Sequence, residues 1–209
     1  MSGESQRSRS MFRSYAPADL LTIANASCGT VATFLCLDYM AFDNTRRLWI
    51  AIGLLPLALV FDVLDGYVAR LGPKRQSTLG ADLDSLADVI SFGLGPAVLG
   101  YTLGLRGGWD MVCLTFFVVC GVSRLARFNV TASQFTTIDS GKVSHFEGTP
   151  IPTSILIVAL LAIVLWSGHV QQEVWLGRLR IGPMLLHPLV LIYVLSGTAM
   201  ISTVRIPKP

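Results

Sequence analysis

Charge is what this chain has least of. Asp, Glu, Lys and Arg make up 14% of its 209 residues, whereas 52% are hydrophobic; a soluble globular domain carries about 25% charged residues. That shortfall excludes an ordinary soluble domain, and a mean hydropathy of +0.60 points to lipid as the solvent. Cysteine is sparse too. Cys28, Cys36, Cys113 and Cys120 form no CxxC pair and all lie in apolar segments. They read as small packing residues, not as zinc ligands or a disulfide framework. Residues 1–14 form a polar tail with Arg7, Arg9 and Arg13, and no apolar run follows directly, so a cleaved leader is not expected. The net charge of +3 is mild and the basic residues are scattered among loops. That distribution excludes a nucleic-acid interface, which gathers basic residues on one face.

What is present is a series of apolar runs of the length a bilayer demands, about 20 residues for a helix. Six spanning segments are predicted, at 20–40, 48–69, 81–103, 109–126, 151–166 and 185–204. The expected fold is therefore all-α, a polytopic membrane domain over 15–209. Residues 15–20, just before the first span, are expected to form a short amphipathic helix along the interface. Six spans put both termini on one side. Eleven basic residues fall on that side (Arg7, Arg9, Arg13, Arg70, Lys74, Arg75, Arg124, Arg127, Lys142, Arg205, Lys208) against five on the other (Arg46, Arg47, Arg106, Arg178, Arg180). The bias predicts cytoplasmic termini. Trp49, Trp109, Trp166 and Trp175 fall near the predicted outer boundaries, where an indole is at home.

Against this background the acidic residues stand out. Residues 48–61 carry no charge, and then Asp62 and Asp65 appear, followed after a short loop by Asp82, Asp84 and Asp88. An ionised carboxylate at membrane depth costs at least a few kcal/mol. At about 100° per residue, Asp62, Asp65, Gly66 and Ala69 share one helix face, and Gly80, Asp84 and Asp88 share a face of the next. Asp82 points away and is excluded. A short loop makes the two helices antiparallel neighbours, so four carboxylates can converge. Their mutual repulsion calls for one or two divalent cations. With hard oxygen donors and no Cys or His in the set, Mg2+, Mn2+ or Ca2+ is selected over zinc or copper. Carboxylate-held Mg2+ or Mn2+ commonly serves phosphate chemistry. The small residues Gly66, Ala69 and Gly80 leave room for a ligand beside the acids, and Arg70 is placed to reach a phosphate. An isolated pair of acids at i, i+3 is usually a solvated face; two such pairs at the same end of adjacent spanning helices are not.

The string Asp62-x-x-Asp65-Gly66-x-x-Ala69-Arg70, nine residues, Gly80-x-x-x-Asp84-x-x-x-Asp88 resembles the signature of the CDP-alcohol phosphatidyltransferases at all eight fixed positions. Leu83-Asp-Ser-Leu-Ala-Asp-Val-Ile-Ser-Phe-Gly93, Ser123-Arg-Leu-Ala-Arg-Phe-Asn129 and Phe146-Glu-Gly-Thr-Pro-Ile-Pro152 are similar to those members of the family that use L-serine. The resemblance covers Ala18 to the C-terminus. It implies a six-helix membrane enzyme, often a homodimer, that transfers the phosphatidyl group of CDP-diacylglycerol to serine. It implies that Asp62, Asp65, Asp84 and Asp88 bind Mg2+ or Mn2+, that Asp88 is also the general base, and that Gly66, Ala69, Arg70 and Gly80 bind the CDP moiety. It places the site at the cytoplasmic face, of the endoplasmic reticulum in a eukaryote or of the plasma membrane in a bacterium.

Candidates for the alcohol pocket are Ser91, about one turn beyond Asp88, Arg124 and Arg127, which share a helix face, and Glu147 in the 128–150 loop. His145 reads as a solvated loop residue. Asn129 begins a glycosylation sequon but is predicted cytoplasmic, where that modification does not occur. The signature alone does not choose serine over inositol or glycerol 3-phosphate. A cation transporter is the rival from another class, and it would place its acids nearer the midplane.

Overall fold

The computed structural model describes residues 17–71, 78–135, 145–168, 176–202 and 205–207, with backbone alone at 78–79, 131–135, 145–147 and 205–207. Helix α1 spans Pro17–Phe42 and α2 spans Thr45–Leu71. Only Asp43 and Asn44 separate them. Asp43 takes the left-handed conformation (φ 51°) and its N–H bonds the Tyr39 carbonyl, while the Asn44 Oδ1 accepts from the Arg46 N–H. Asp is among the few residues that adopt this conformation readily, so a two-residue link suffices to make an antiparallel pair.

The third long helix is interrupted. It runs as α3 (Thr78–Asp88), a π-helical stretch (Val89–Leu94) and α4 (Gly95–Leu103). The Gly95 N–H reaches back five residues to the Ile90 carbonyl. Pro96 explains the interruption, because it offers no N–H and its ring crowds the carbonyl four residues back. Helix α5 is Gly108–Phe135 and α6 is Ile155–Trp166, entered through a 3-10 turn at Ile151–Ser154. Helix α7 is Leu191–Ile201, entered through a 3-10 turn at Pro188–Val190.

Among the described residues, four helices are long and apolar enough to cross a membrane: Pro17–Phe42, Thr45–Leu71, Gly80–Leu103 and Gly108–Val130. Two further apolar helices, Ile151–Trp166 and Pro188–Ile201, are shorter. The expected sixth span does not start at Leu185. Strands β2 (Leu179–Ile181) and β3 (Met184–Leu186) instead form a hairpin across Gly182 and Pro183. Gly182 has φ +63°, the conformation a tight hairpin requires at its first central position. The fold is also not purely α in a second place: β1 (His145–Glu147) pairs antiparallel with β4 (Arg205–Pro207). The expected separate interfacial helix is absent among the described residues, since Pro17 to Leu20 form the first turn of α1; residues 15–16 lie outside them. Trp175 lies outside them too.

Packing follows from the helix periods. The buried positions of α1 are Asp19, Thr22, Asn25, Gly29, Ala32, Cys36 and Tyr39, one stripe at three- and four-residue steps. Leu20, Phe34 and Leu37 on the other side are exposed, as lipid-facing residues should be. Cys36 and Cys120 are buried and all four cysteines are free. At the end of the bundle opposite the acids, Trp49 meets Trp166 edge to face at 6.2 Å. There the fully buried Asp110 accepts from the backbone N–H groups of Gly107 (2.7 Å) and His187 (2.8 Å) and pairs with the His187 ring. This holds the hairpin and the start of α7 against α5.

At Gly29, α1 comes close to the backbone of the third helix. A Cβ there would lie 2.5 Å from Ser91 Oγ and 2.7 Å from Ser91 Cα. Backbone cannot yield as a flexible side chain would, so Gly29→Val is expected to destabilise the protein by about 1–3 kcal/mol. Thermal unfolding in detergent checks this, with Gly53→Ala, where a Cβ meets nothing within 4 Å, as the control.

Candidate active site

The acids lie on α2 and α3. Asp62 precedes the end of α2 by nine residues, roughly 14 Å at 1.5 Å per residue. Asp88 ends α3, immediately before the π-helical stretch. One carboxylate oxygen from each of Asp62, Asp84 and Asp88 falls within 4.8 Å of the others. Asp62 and Asp88 face each other at hydrogen-bonding reach. Asp65 is buried beside this group, in electrostatic range of Asp62 and Asp84, but does not join the closest set. Its Oδ2 accepts from Thr22 Oγ1 at 2.7 Å. The expected convergence of four carboxylates is thus a cluster of three with the fourth alongside.

Two unit charges 4.8 Å apart repel by roughly 3–4 kcal/mol at an effective dielectric near 20. Asp84 Oδ1 is buried and has no hydrogen-bond partner. A half-buried cluster of hard oxygen donors with an orphaned carboxylate atom fits a divalent cation of the Mg2+ or Mn2+ type. Asp82, which the helical phase turns away, is exposed.

The remaining candidates distribute unevenly. Gly66 and Gly80 are half-buried, Ala69 and Arg70 exposed. The Arg70 Nε donates to the Gly66 carbonyl at 2.9 Å, so its guanidinium lies back along its own helix. Arg124 is half-buried on α5, in electrostatic range of Asp88, and its Nε has no partner. Arg127 is exposed. Glu147 lies on β1, opposite Arg205, where only the backbone is described; His145 shares that strand. Ser91 lies three residues past Asp88 and, like it, contacts Asn25 of α1. It is fully buried in the π-helical stretch and its hydroxyl donates to the Asn25 carbonyl at 2.9 Å. The expected placement assumed an unbroken α-helix beyond Asp88, and the wider turn changes the direction of Ser91. Asn129 is engaged within the protein, exchanging hydrogen bonds with Ser85 at 3.0 and 3.2 Å.

The sequence reading missed the contribution of α1. Thr22 reaches Asp65, and the fully buried Asn25 donates from Nδ2 to Asp88 Oδ1 at 3.3 Å. Asp19, also buried, lies one turn before Thr22. The signal was available: three polar residues at three-residue steps in an otherwise apolar helix lie on one face and are costly there unless partnered.

Comparison with known proteins identifies relatives of the chain. The chain is 38% identical over 203 residues to a CDP-diacylglycerol–serine O-phosphatidyltransferase of Saccharomyces cerevisiae, covering 96% of this chain and 73% of the yeast protein. It is 36% identical over 143 residues to an archaetidylserine synthase of Methanothermobacter thermautotrophicus, 68% of this chain and 55% of that one. A CDP-diacylglycerol–serine O-phosphatidyltransferase of Methanocaldococcus jannaschii is 33% identical over 176 residues, 82% of this chain and 73% of that one. No solved structure matches. The family model described as CDP-alcohol phosphatidyltransferase matches residues 15–201, and with most of its length inside that match the chain belongs to the CDP-alcohol phosphatidyltransferase family.

Proposed function

We propose that this protein transfers the phosphatidyl group of CDP-diacylglycerol to the hydroxyl of L-serine, releasing CMP. The observation that carries the reading is the meeting of Asp62, Asp84 and Asp88 from two membrane helices, with Arg124 beside Asp88. The relatives named for serine transfer support the choice of alcohol.

In this reading Asp62, Asp65, Asp84 and Asp88 hold the cation, which when bound neutralises phosphate charge. Gly66, Ala69 and Gly80 leave space for the CDP moiety, and Arg70 swings from its own helix to the diphosphate. Asp88 takes the proton of the serine hydroxyl as its oxygen attacks the phosphorus bearing diacylglycerol. The bond from that phosphorus to the oxygen of CMP breaks, and CMP leaves. Positioned proton transfer of this kind contributes about 10²- to 10⁴-fold. Arg124, with an unsatisfied donor, receives the serine carboxylate; Arg127 and Glu147 complete the surroundings. With all six apolar helices crossing, both termini and the acids would share one side, and the excess of basic residues there favours the cytoplasm, where soluble serine would meet membrane-dissolved lipid.

Asp88→Asn is expected to lower turnover by at least about 100-fold while the unfolding temperature in detergent stays near that of the parent. Serine-dependent CMP release in the variant at the parental rate would remove Asp88 from its role. Chelation with EDTA should stop CMP release and added Mn2+ should restore it; activity indifferent to both would overturn the metal assignment. Arg124→Ala is expected to raise the KM for serine by about 10-fold or more, the worth of a charge-assisted hydrogen bond, leaving the KM for CDP-diacylglycerol unchanged. Serine, inositol and glycerol 3-phosphate offered side by side to the parent decide the alcohol, and incorporation of either rival in place of serine would refute the substrate.

A further inference from the structure

We infer that α1, which carries none of the eight signature positions, is the outer shell of the metal centre, with Thr22 and Asn25 acting as positioning residues for Asp65 and Asp88. The inference rests on the metal reading above and adds two residues to it. Thr22 Oγ1 has one proton and two acceptors in reach, the Ala18 carbonyl at 3.2 Å and Asp65 Oδ2 at 2.7 Å. The shorter contact, to a charged partner, is the stronger. Asn25 is tied twice to the neighbouring helix: its amide nitrogen donates to Asp88 Oδ1, and its backbone carbonyl accepts from Ser91. Because a carboxylate only accepts, the amide must turn its NH2 toward Asp88. That orientation leaves Asn25 Oδ1 buried without a partner, an arrangement that packing alone would not favour.

Each hydrogen bond engages one carboxylate oxygen, Oδ2 of Asp65 or Oδ1 of Asp88, and leaves the other available to a cation. Asp88 has two tasks, holding the cation and accepting a proton, so its rotamer matters most. Gly29, one turn beyond Asn25, permits the approach that brings the amide within reach. Outer partners of this kind typically contribute 10- to 100-fold in metal affinity or activity.

The test uses the full-length protein in detergent micelles with CDP-diacylglycerol, and reads Mn2+ affinity by calorimetry beside kcat, KM and the unfolding temperature. Asn25→Leu keeps the volume and removes the donor; Thr22→Val keeps the shape and removes the hydroxyl. Both should weaken Mn2+ binding by about 10- to 100-fold, with Asn25→Leu also lowering kcat at saturating Mn2+ and leaving the KM for CDP-diacylglycerol in place. Thr22→Ser, which restores the hydroxyl, should recover most of the lost affinity. Parental Mn2+ affinity in folded Asn25→Leu and Thr22→Val overturns the inference, as does a Thr22→Ser variant as weak as Thr22→Val. A lowered unfolding temperature with unchanged Mn2+ affinity would show a purely structural role and overturn it as well. Failure of the parent itself to bind Mn2+ would instead sink the metal reading, and this inference with it.

Discussion

The rest of the structure is arranged around mutual repulsion between carboxylates in an apolar bundle. Asp62, Asp84 and Asp88 approach one another within 4.8 Å, a geometry that side chains free to relax would abandon. They hold it because α2 and α3 are fixed by packing against α1, whose stripe of buried residues runs the length of the bundle. The apolar core therefore does more than keep the protein in the membrane. It stores the electrostatic tension that a cation would relieve on binding.

The polar end of α1 and its apolar end serve different neighbours. Asp19, Thr22 and Asn25 line the acidic end, while Ala32, Cys36 and Tyr39 continue the same stripe into the core. Gly29 sits between the two, at a close contact with Ser91 of the third helix. The opposite end of the molecule is held by a different device, the buried Asp110 with the His187 ring and two backbone N–H groups. The two ends thus differ in chemistry: at one, the packing of α1 against α2 and α3 holds like charges together, and at the other a buried acid has its hydrogen bonds satisfied.

Much of the architecture was legible because lipid imposes simple demands. Long apolar runs announced the four longest helices, and acids stand out where charge is scarce. Three features were hidden for physical reasons. Thr22 and Asn25 are common residues whose importance lies in their phase along α1, visible only when polar positions are traced as carefully as acidic ones. The bond from Ser91 to the Asn25 carbonyl was hidden because helical arithmetic assumed 3.6 residues per turn through Val89–Leu94, where Pro96 forces a wider turn. The hairpin at residues 179–186 fell mostly in the connection before the predicted sixth span, which took in only Leu185 and Leu186, although Gly182 and Pro183 mark a turn.

That wider turn has a geometric consequence. On an unbroken α-helix Leu99, eleven residues past Asp88, would return to almost the same angular position, only about 20° away. Leu99 would then continue the line of Asp88, and one strip of surface would have to suit both a charged cluster and a hydrophobic interior. The extra residue rotates the lower half by about a quarter turn. Leu99 and Leu103 are buried elsewhere in the bundle, so the two halves of one rod answer to different surroundings without a break in the chain.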